Sequence, residues 1–208
     1  MPGVDFSLYL VTDRHQARGR SVQDVVSAAL RAGVRAVQLR EKDLPTRPLL
    51  ALARELTDLA RSYGARVLVN DRVDVCLAAG SDGTHLPATG LRPAAARRVL
   101  GPGCLIGVSA HSADEAVRAE TDGADFIVLG PIFETPSKRA FGPPIGLGEL
   151  ERARIRCRVP LFGIGGVTAP RVREVVKAGA HGVAVVGSVM AAEDVERATR
   201  ELLTALDL

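Results

Sequence analysis

The 208-residue sequence predicts one (β/α)8 barrel spanning residues 1–208. Three observations carry that expectation. Eight short apolar runs suited to buried strands recur along the chain, and amphipathic helical segments separate them. The runs also end in polar residues, while several are introduced by plain turns, AGV at 32–34, DGA at 122–124 and AGA at 178–180.

LYLVTD (8–13) is the first strand. SVQDVVSAALRAG follows as a helix, with Val22, Val25, Val26, Ala29 and Leu30 on one face, Ser21 as N-cap and Gly33 as stop. VRAVQLR (34–40) is the second strand, and PLLALARELTDLARSYG the second helix, lining up Leu49, Leu52, Ala53, Leu56, Leu59 and Ala60. RVLVND (66–71) leads into a helix over 72–79, DGTHLP (82–87) into one over 92–99, and CLIGVSAH (104–111) into one over 112–121. ADFIVLGP (124–131) precedes a long loop and a helix over 147–154. PLFGIGG (160–166) is followed by a helix over 168–178, and HGVAVVGS (181–188) by one over 193–206. An open doubly wound sheet is the competing architecture, but its G-x-G-x-x-G signature is missing after the first strand, which ends VTDRHQ.

Composition narrows the class. Hydrophobic residues are 47% and charged residues 25%, ordinary for a globular protein, while aromatics are 3% with no Trp. An aliphatic core of Val, Leu, Ile and Ala is therefore expected. The net charge of +3 is too small and too scattered for a nucleic-acid footprint. Cys76, Cys104 and Cys157 lie far apart within or beside apolar runs, which favours buried reduced thiols over a metal or catalytic role. No apolar run reaches membrane-spanning length, and MPGVDFS lacks the features of a signal peptide, so a cytoplasmic protein without membrane partners is expected.

In a barrel of this kind the chemistry sits where strands end. Those ends read Thr12-Asp13, Gln38-Leu39-Arg40-Glu41-Lys42, Asn70-Asp71, His85, Ser109-Ala110-His111, Gly130-Pro131, Gly165-Gly166 and Gly187-Ser188. Barrel closure would gather them around one mouth. Alternation in QLREK brings Gln38, Arg40 and Lys42 to one side, suited either to phosphate oxygens or to a surface ion-pair ladder. Asn70-Asp71 offers an amide and a hard oxygen ligand for magnesium, or else a cap for the next helix. GIGGVTAP (163–170) and VVGSVM (185–190) are glycine turns whose backbone N–H groups can approach an anion, at the positions where such barrels commonly bind phosphate. GPIFETPSKRAFGPP (130–144) suits either a lid bringing charge to a phosphate or a plain basic loop. His85 and His111 are each an acid/base candidate or a hydrogen-bonded wall residue.

YLVTD, VQLREK, VNDRVD, DGTHLP, IGVSAHS, GADFIVLGPIFETPSK, GIGGVT and GVAVVGS, in this order, resemble the thiamine-phosphate synthase family. The resemblance runs from about Leu8 to the C-terminus. It implies a transferase that joins hydroxymethylpyrimidine diphosphate to thiazole phosphate, releasing diphosphate by a dissociative route with Mg2+. Such chemistry stabilises a leaving anion and needs no nucleophilic side chain. Carried over by position, Gln38, Leu39, Arg40, Glu41 and Lys42 would hold the pyrimidine diphosphate, with Arg40 and Lys42 on its phosphates. Asn70 and Ser109 would contact the same substrate, Asp71 would bind magnesium and Lys138 would reach the diphosphate. Thr135, Pro136, Ser137, Gly166, Val186 and Gly187 would meet the thiazole phosphate. A homodimer is the assembly the resemblance implies.

The sequence departs from the family pattern where HL is usually followed by G-Q-x-D, whose Asp is a second magnesium ligand: here it reads HLPATG, with Gly90 at that position. Gly187 stands where Ser is common, and Pro136-Ser137 where a second Thr is common. The HLP form also resembles the sister thiazole tautomerases, in which a histidine at the place of His111 is the acid/base. Intact QLREK and NDRVD favour the synthase, because a tautomerase has no diphosphate to bind. A non-catalytic barrel binding the same phosphates is the third reading.

Overall fold

The computed structural model describes residues 3–135 and 143–207. Eight strands, β1 (Leu8–Val11), β2 (Ala36–Leu39), β3 (Arg66–Asn70), β4 (Gly83–Leu86), β5 (Leu105–Ala110), β6 (Phe126–Leu129), β7 (Leu161–Ile164) and β8 (Gly182–Val185), form a closed parallel barrel in chain order. Closure runs through β1 and β8, with Leu8, Tyr9 and Leu10 opposite Val183, Ala184 and Val185. The helices are α1 (Val22–Arg31), α2 (Thr46–Ser62), α3 (Val73–Ala79), α4 (Pro93–Leu100), α5 (Ala113–Thr121), α6 (Gly146–Arg156), α7 (Ala169–Lys177), α8 (Gly187–Met190) and α9 (Val195–Leu206). Among the described residues no helix is long and apolar enough to cross a membrane.

Local chemistry accounts for the helix starts. The Ser21 hydroxyl accepts from Asp24 N–H and the Ser112 hydroxyl from Glu115 N–H, each closing an otherwise orphaned donor of the first turn. The predicted face of α1, Val22, Val25, Val26, Ala29 and Leu30, is wholly buried. Helix α8 was not anticipated: the expected eighth strand reaches Ser188, whereas β8 stops at Val185 and the chain turns into a single helical turn.

The barrel has two cores, because strand side chains alternate between its inside and its helix-covered outside. The outer core is aliphatic, as expected, with Leu10, Val37, Val67, Val69, Ile106, Ile127 and Val183 packed beneath the helices. The inner core corrects the expectation. Phe6, Tyr9, Phe126 and Phe162, four of the seven aromatic side chains, fill it together with Ala36, Leu68, Leu105 and Ala184. Phe6 stands edge-on to Phe126 at 5.6 Å between centroids, and Phe126 edge-on to Phe162 at 5.5 Å. An eight-stranded barrel must fill a wide interior, and large rings do so when other strands contribute small residues. Gly107 is one of these: a Cβ there would lie 2.4 Å from Phe126 Cζ. Cys76 and Cys157 are buried free thiols, but Cys104 is only half-buried, because it precedes β5 rather than lying within it.

Candidate active site at the barrel mouth

The floor of the mouth rests on the aromatic core. Gln38, nearly fully buried near the end of β2, donates from Nε2 to the Tyr9 hydroxyl at 3.4 Å. Across the floor, His85 Nε2 lies 3.0 Å from Ser109 Oγ. Burial pulls the His85 ring down to about 3, and the nearby Arg40 cation adds to the effect. His85 is therefore a neutral wall residue at ordinary pH, which removes it from the acid/base candidates. Burial drives the Tyr9 phenol strongly upward, the Gln38 hydrogen bond opposing it.

Arg40 follows Gln38 in the same alternation. Its backbone N–H donates to Thr12 Oγ1 at 2.9 Å, and that hydroxyl donates onward to Glu41 Oε1 at 2.7 Å. Glu41 Oε2 accepts from Arg14 N–H at 3.1 Å and from Arg14 Nη1 at 3.3 Å. The other face of Arg14 forms a bidentate pair with Asp43, at 2.6 Å on each arm, and His15 Nε2 stands 2.9 Å from the same carboxylate. Arg14 and His15 together hold the Asp43 carboxyl down at about 2. The Glu41 side chain is 1% exposed, and its contacts bind the loop after β1 to the turn after β2. The ion-pair ladder within QLREK does not form around Arg40: among the described residues its guanidinium makes no salt bridge. Lys42 is exposed in the turn after β2, beyond the reach of strand alternation.

Asn70 ends β3 and Asp71 follows it at φ 63°, a left-handed conformation that a non-glycine residue adopts only when its surroundings impose it. Asp71 N–H extends the strand ladder to His85 O at 2.9 Å. Helix α3 begins after Arg72 with no side-chain cap, so capping does not explain Asp71. Its carboxylate is exposed and faces Gly90: a Cβ on Gly90 would stand 3.2 Å from Asp71 Oδ1. The same Cβ would be 2.8 Å from Pro87 Cδ, so the proline ring occupies the space a side chain at 90 would need. Among the described residues no three carboxylate, histidine or cysteine side chains cluster into a metal cage. One carboxylate still fits magnesium, which keeps most of its waters and takes the remaining ligands from substrate phosphates.

The two glycine turns meet. Ser188 Oγ donates to Val167 O at 2.5 Å, tying the turn after β8 to the turn after β7. Gly166 sits at φ 63°, and a Cβ there would lie 2.7 Å from Glu134 O and 2.9 Å from Phe133 Cβ. Phe133 N–H donates to Gly165 O at 3.0 Å, so the loop leaving β6 runs along this turn as far as Glu134. Gly187 starts α8, with Val186 before it, and the Gln16 side chain lies against Gly187. Arg171, missed in the sequence, donates from Nη1 to Gly166 O at 2.9 Å and lies 4.7 Å from the Phe133 ring centroid. Pro136, Ser137 and Lys138 lie outside the described residues.

His111 closes the mouth at the end of β5. Its Nδ1 is 2.6 Å from Gly130 O, and a carbonyl only accepts, so Nδ1 carries a proton and donates it there.

A family model described as thiamine monophosphate synthase matches residues 8–189. A Geobacter sulfurreducens relative is 50% identical across 99% of this chain and 97% of its own length. A thiamine-phosphate synthase of Roseiflexus castenholzii is 45% identical across 94% of this chain and 86% of its own. Among solved structures, thiamine phosphate pyrophosphorylase from Pyrococcus furiosus superposes with a TM-score of 0.89 at 37% identity, covering 97% of this chain and 96% of that one.

Proposed function

The chain belongs to the thiamine monophosphate synthase family, and on that premise we propose how its mouth forms thiamine phosphate from two phosphorylated substrates. The enzyme is a transferase. The C–O bond of hydroxymethylpyrimidine diphosphate breaks, diphosphate departs with the electron pair, and the thiazole nitrogen attacks the pyrimidine-stabilised carbocation. The work asked of the protein is electrostatic: to hold a leaving anion and to keep water from the cation.

Arg40 and Lys42 bind the diphosphate, with Lys138 as a further cation for it. Gln38, Asn70 and Ser109 hold the pyrimidine end. Asp71 would hold Mg2+, the substrate's phosphates supplying the further oxygen ligands that one carboxylate leaves open. Magnesium, when bound, neutralises charge on the leaving diphosphate. Thr135 and Ser137, with Gly166, Val186 and Gly187, receive the thiazole phosphate, which supports the reading that the Ser188–Val167 bond joins two halves of one anion site. His111 orients a wall of the mouth through Gly130.

One observation carries this reading. The Arg40 backbone is fixed by Thr12, while its guanidinium has no carboxylate partner among the described residues, leaving a half-buried cation for a phosphate. The test supplies both substrates with Mg2+ and follows diphosphate release together with thiamine phosphate. Release without product, or no turnover at all, removes the proposal. The homodimer expected from the family belongs to the same reading and is checked by light scattering.

A further inference from the structure

His85 transfers no proton, yet it is built into the mouth floor with one atom unanswered. Among the described residues, its Nδ1 and Thr199 Oγ1 are the buried side-chain polar atoms without a hydrogen-bond partner. His85 is itself 1% exposed, its ring lying 5.7 Å from Tyr9 and 5.8 Å from Phe126 between centroids. Nδ1 faces the gap left by Gly107: a Cβ there would be 2.6 Å from Nδ1 and 2.4 Å from Phe126 Cζ.

That surrounding decides the tautomer. Backbone Cα–H and ring-edge C–H groups are weak donors, so a lone pair on Nδ1 meets a mildly complementary environment. An N–H on Nδ1 would meet no acceptor at all, and a buried orphan donor is the rarer and more expensive fault. An imidazolium would carry that same orphan N–H, so the ring holds one proton. The single proton therefore sits on Nε2, 3.0 Å from Ser109 Oγ.

A serine hydroxyl has one hydrogen and two lone pairs, and its hydrogen turns to whatever acceptor is available. We infer that His85 is a positioning residue which, by donating from Nε2 to Ser109 Oγ, occupies one lone pair and frees the Ser109 hydrogen for donation toward the bound substrate. The substrate atom that takes this hydrogen is an acceptor, a pyrimidine ring nitrogen or a phosphoryl oxygen. This last step rests on the reading above that Ser109 touches the pyrimidine diphosphate. The tautomer does not.

Two measurements separate those levels. In 15N-labelled wild-type protein, His85 shows a protonated Nε2 and an unprotonated Nδ1, unchanged between about pH 6 and 8. A protonated Nδ1, or an imidazolium in that interval, overturns the proposal whatever the enzyme's activity. In turnover, His85→Leu raises KM for the pyrimidine diphosphate about tenfold and leaves KM for the thiazole phosphate unchanged. His85→Gln, which keeps an N–H donor, recovers most of that loss, and His85→Leu adds nothing in a Ser109→Ala background. A loss in His85→Gln equal to that in His85→Leu, or additive losses with Ser109→Ala, assigns His85 a packing role and overturns the proposal. Inhibition by inorganic diphosphate and by the unphosphorylated pyrimidine alcohol then identifies the acceptor: the inhibitor weakened by Ser109→Ala carries it. Weakening of neither contradicts the donor role.

Discussion

Thr12 Oγ1 stands 2.7 Å from Glu41 Oε1 while accepting the Arg40 backbone N–H at 2.9 Å, so one hydroxyl joins the end of β1 to the cationic end of β2. Thr12 is wholly buried and Glu41 nearly so. Thr12→Val keeps the shape but leaves a buried carboxylate short of a donor and the Arg40 N–H short of an acceptor. A loss of about 1–3 kcal/mol in unfolding free energy is expected, with Thr12→Ser restoring most of it. Denaturant titration checks this, and an unchanged midpoint in Thr12→Val would show the relay to be idle.

Arg40→Ala and Lys138→Ala each lower turnover by orders of magnitude while the protein stays folded by circular dichroism. A loss below about tenfold, equivalent to roughly 1.4 kcal/mol of barrier, removes the residue from the mechanism.

The Gly90–Asp71 juxtaposition makes a paired prediction. Gly90→Asp alone forces a Cβ to within 2.8 Å of Pro87 Cδ, so it strains the β4–α4 loop. Pro87→Gly with Gly90→Asp relieves that contact and sets a second carboxylate beside Asp71. The double variant reaches half-maximal activity at a magnesium concentration lower by about tenfold, as a second anionic ligand should provide. Magnesium titration of steady-state turnover is the check; an unchanged midpoint means that position 90 does not reach the ion.

His85 also sets a pH dependence. Its folded value, about 3, lies below the ordinary 6.5, so between those limits the unfolded chain binds a proton that the folded one refuses. Its contribution to stability is whole above pH 6.5 and declines as pH falls toward 3. Urea midpoints measured at neutral and mildly acidic pH should converge more in His85→Gln than in wild type. Equal acid sensitivity in both would show that His85 is not the group responsible.

Much of this was legible in the sequence because periodicity reports burial directly. The faces of α1 and α2 and the eight apolar runs need nothing beyond local pattern. What escaped depends on contacts between distant segments. Seven aromatics in the composition do not reveal that four of them share the barrel interior. QLREK read as a strand places Lys42 beside Arg40, but β2 stops at Leu39, and the buried partner of Glu41 is Thr12, 29 residues earlier. Asp71 resembled a cap because Asp so often is one, and only its left-handed backbone with an uncapped α3 removes that role. Arg171 carried no sequence signal, since an arginine in the first turn of a helix is ordinary until Gly166 and Phe133 are seen against it.

The most direct test of a shared mouth is a crystal structure with Mg2+, inorganic diphosphate and thiazole phosphate bound together. Diphosphate is expected within hydrogen-bond reach of Arg40, bridged by the ion to Asp71, with the thiazole phosphate against Gly166 and Gly187. Density for either anion away from the carboxyl ends of the strands, or for the metal without Asp71, would contradict the account.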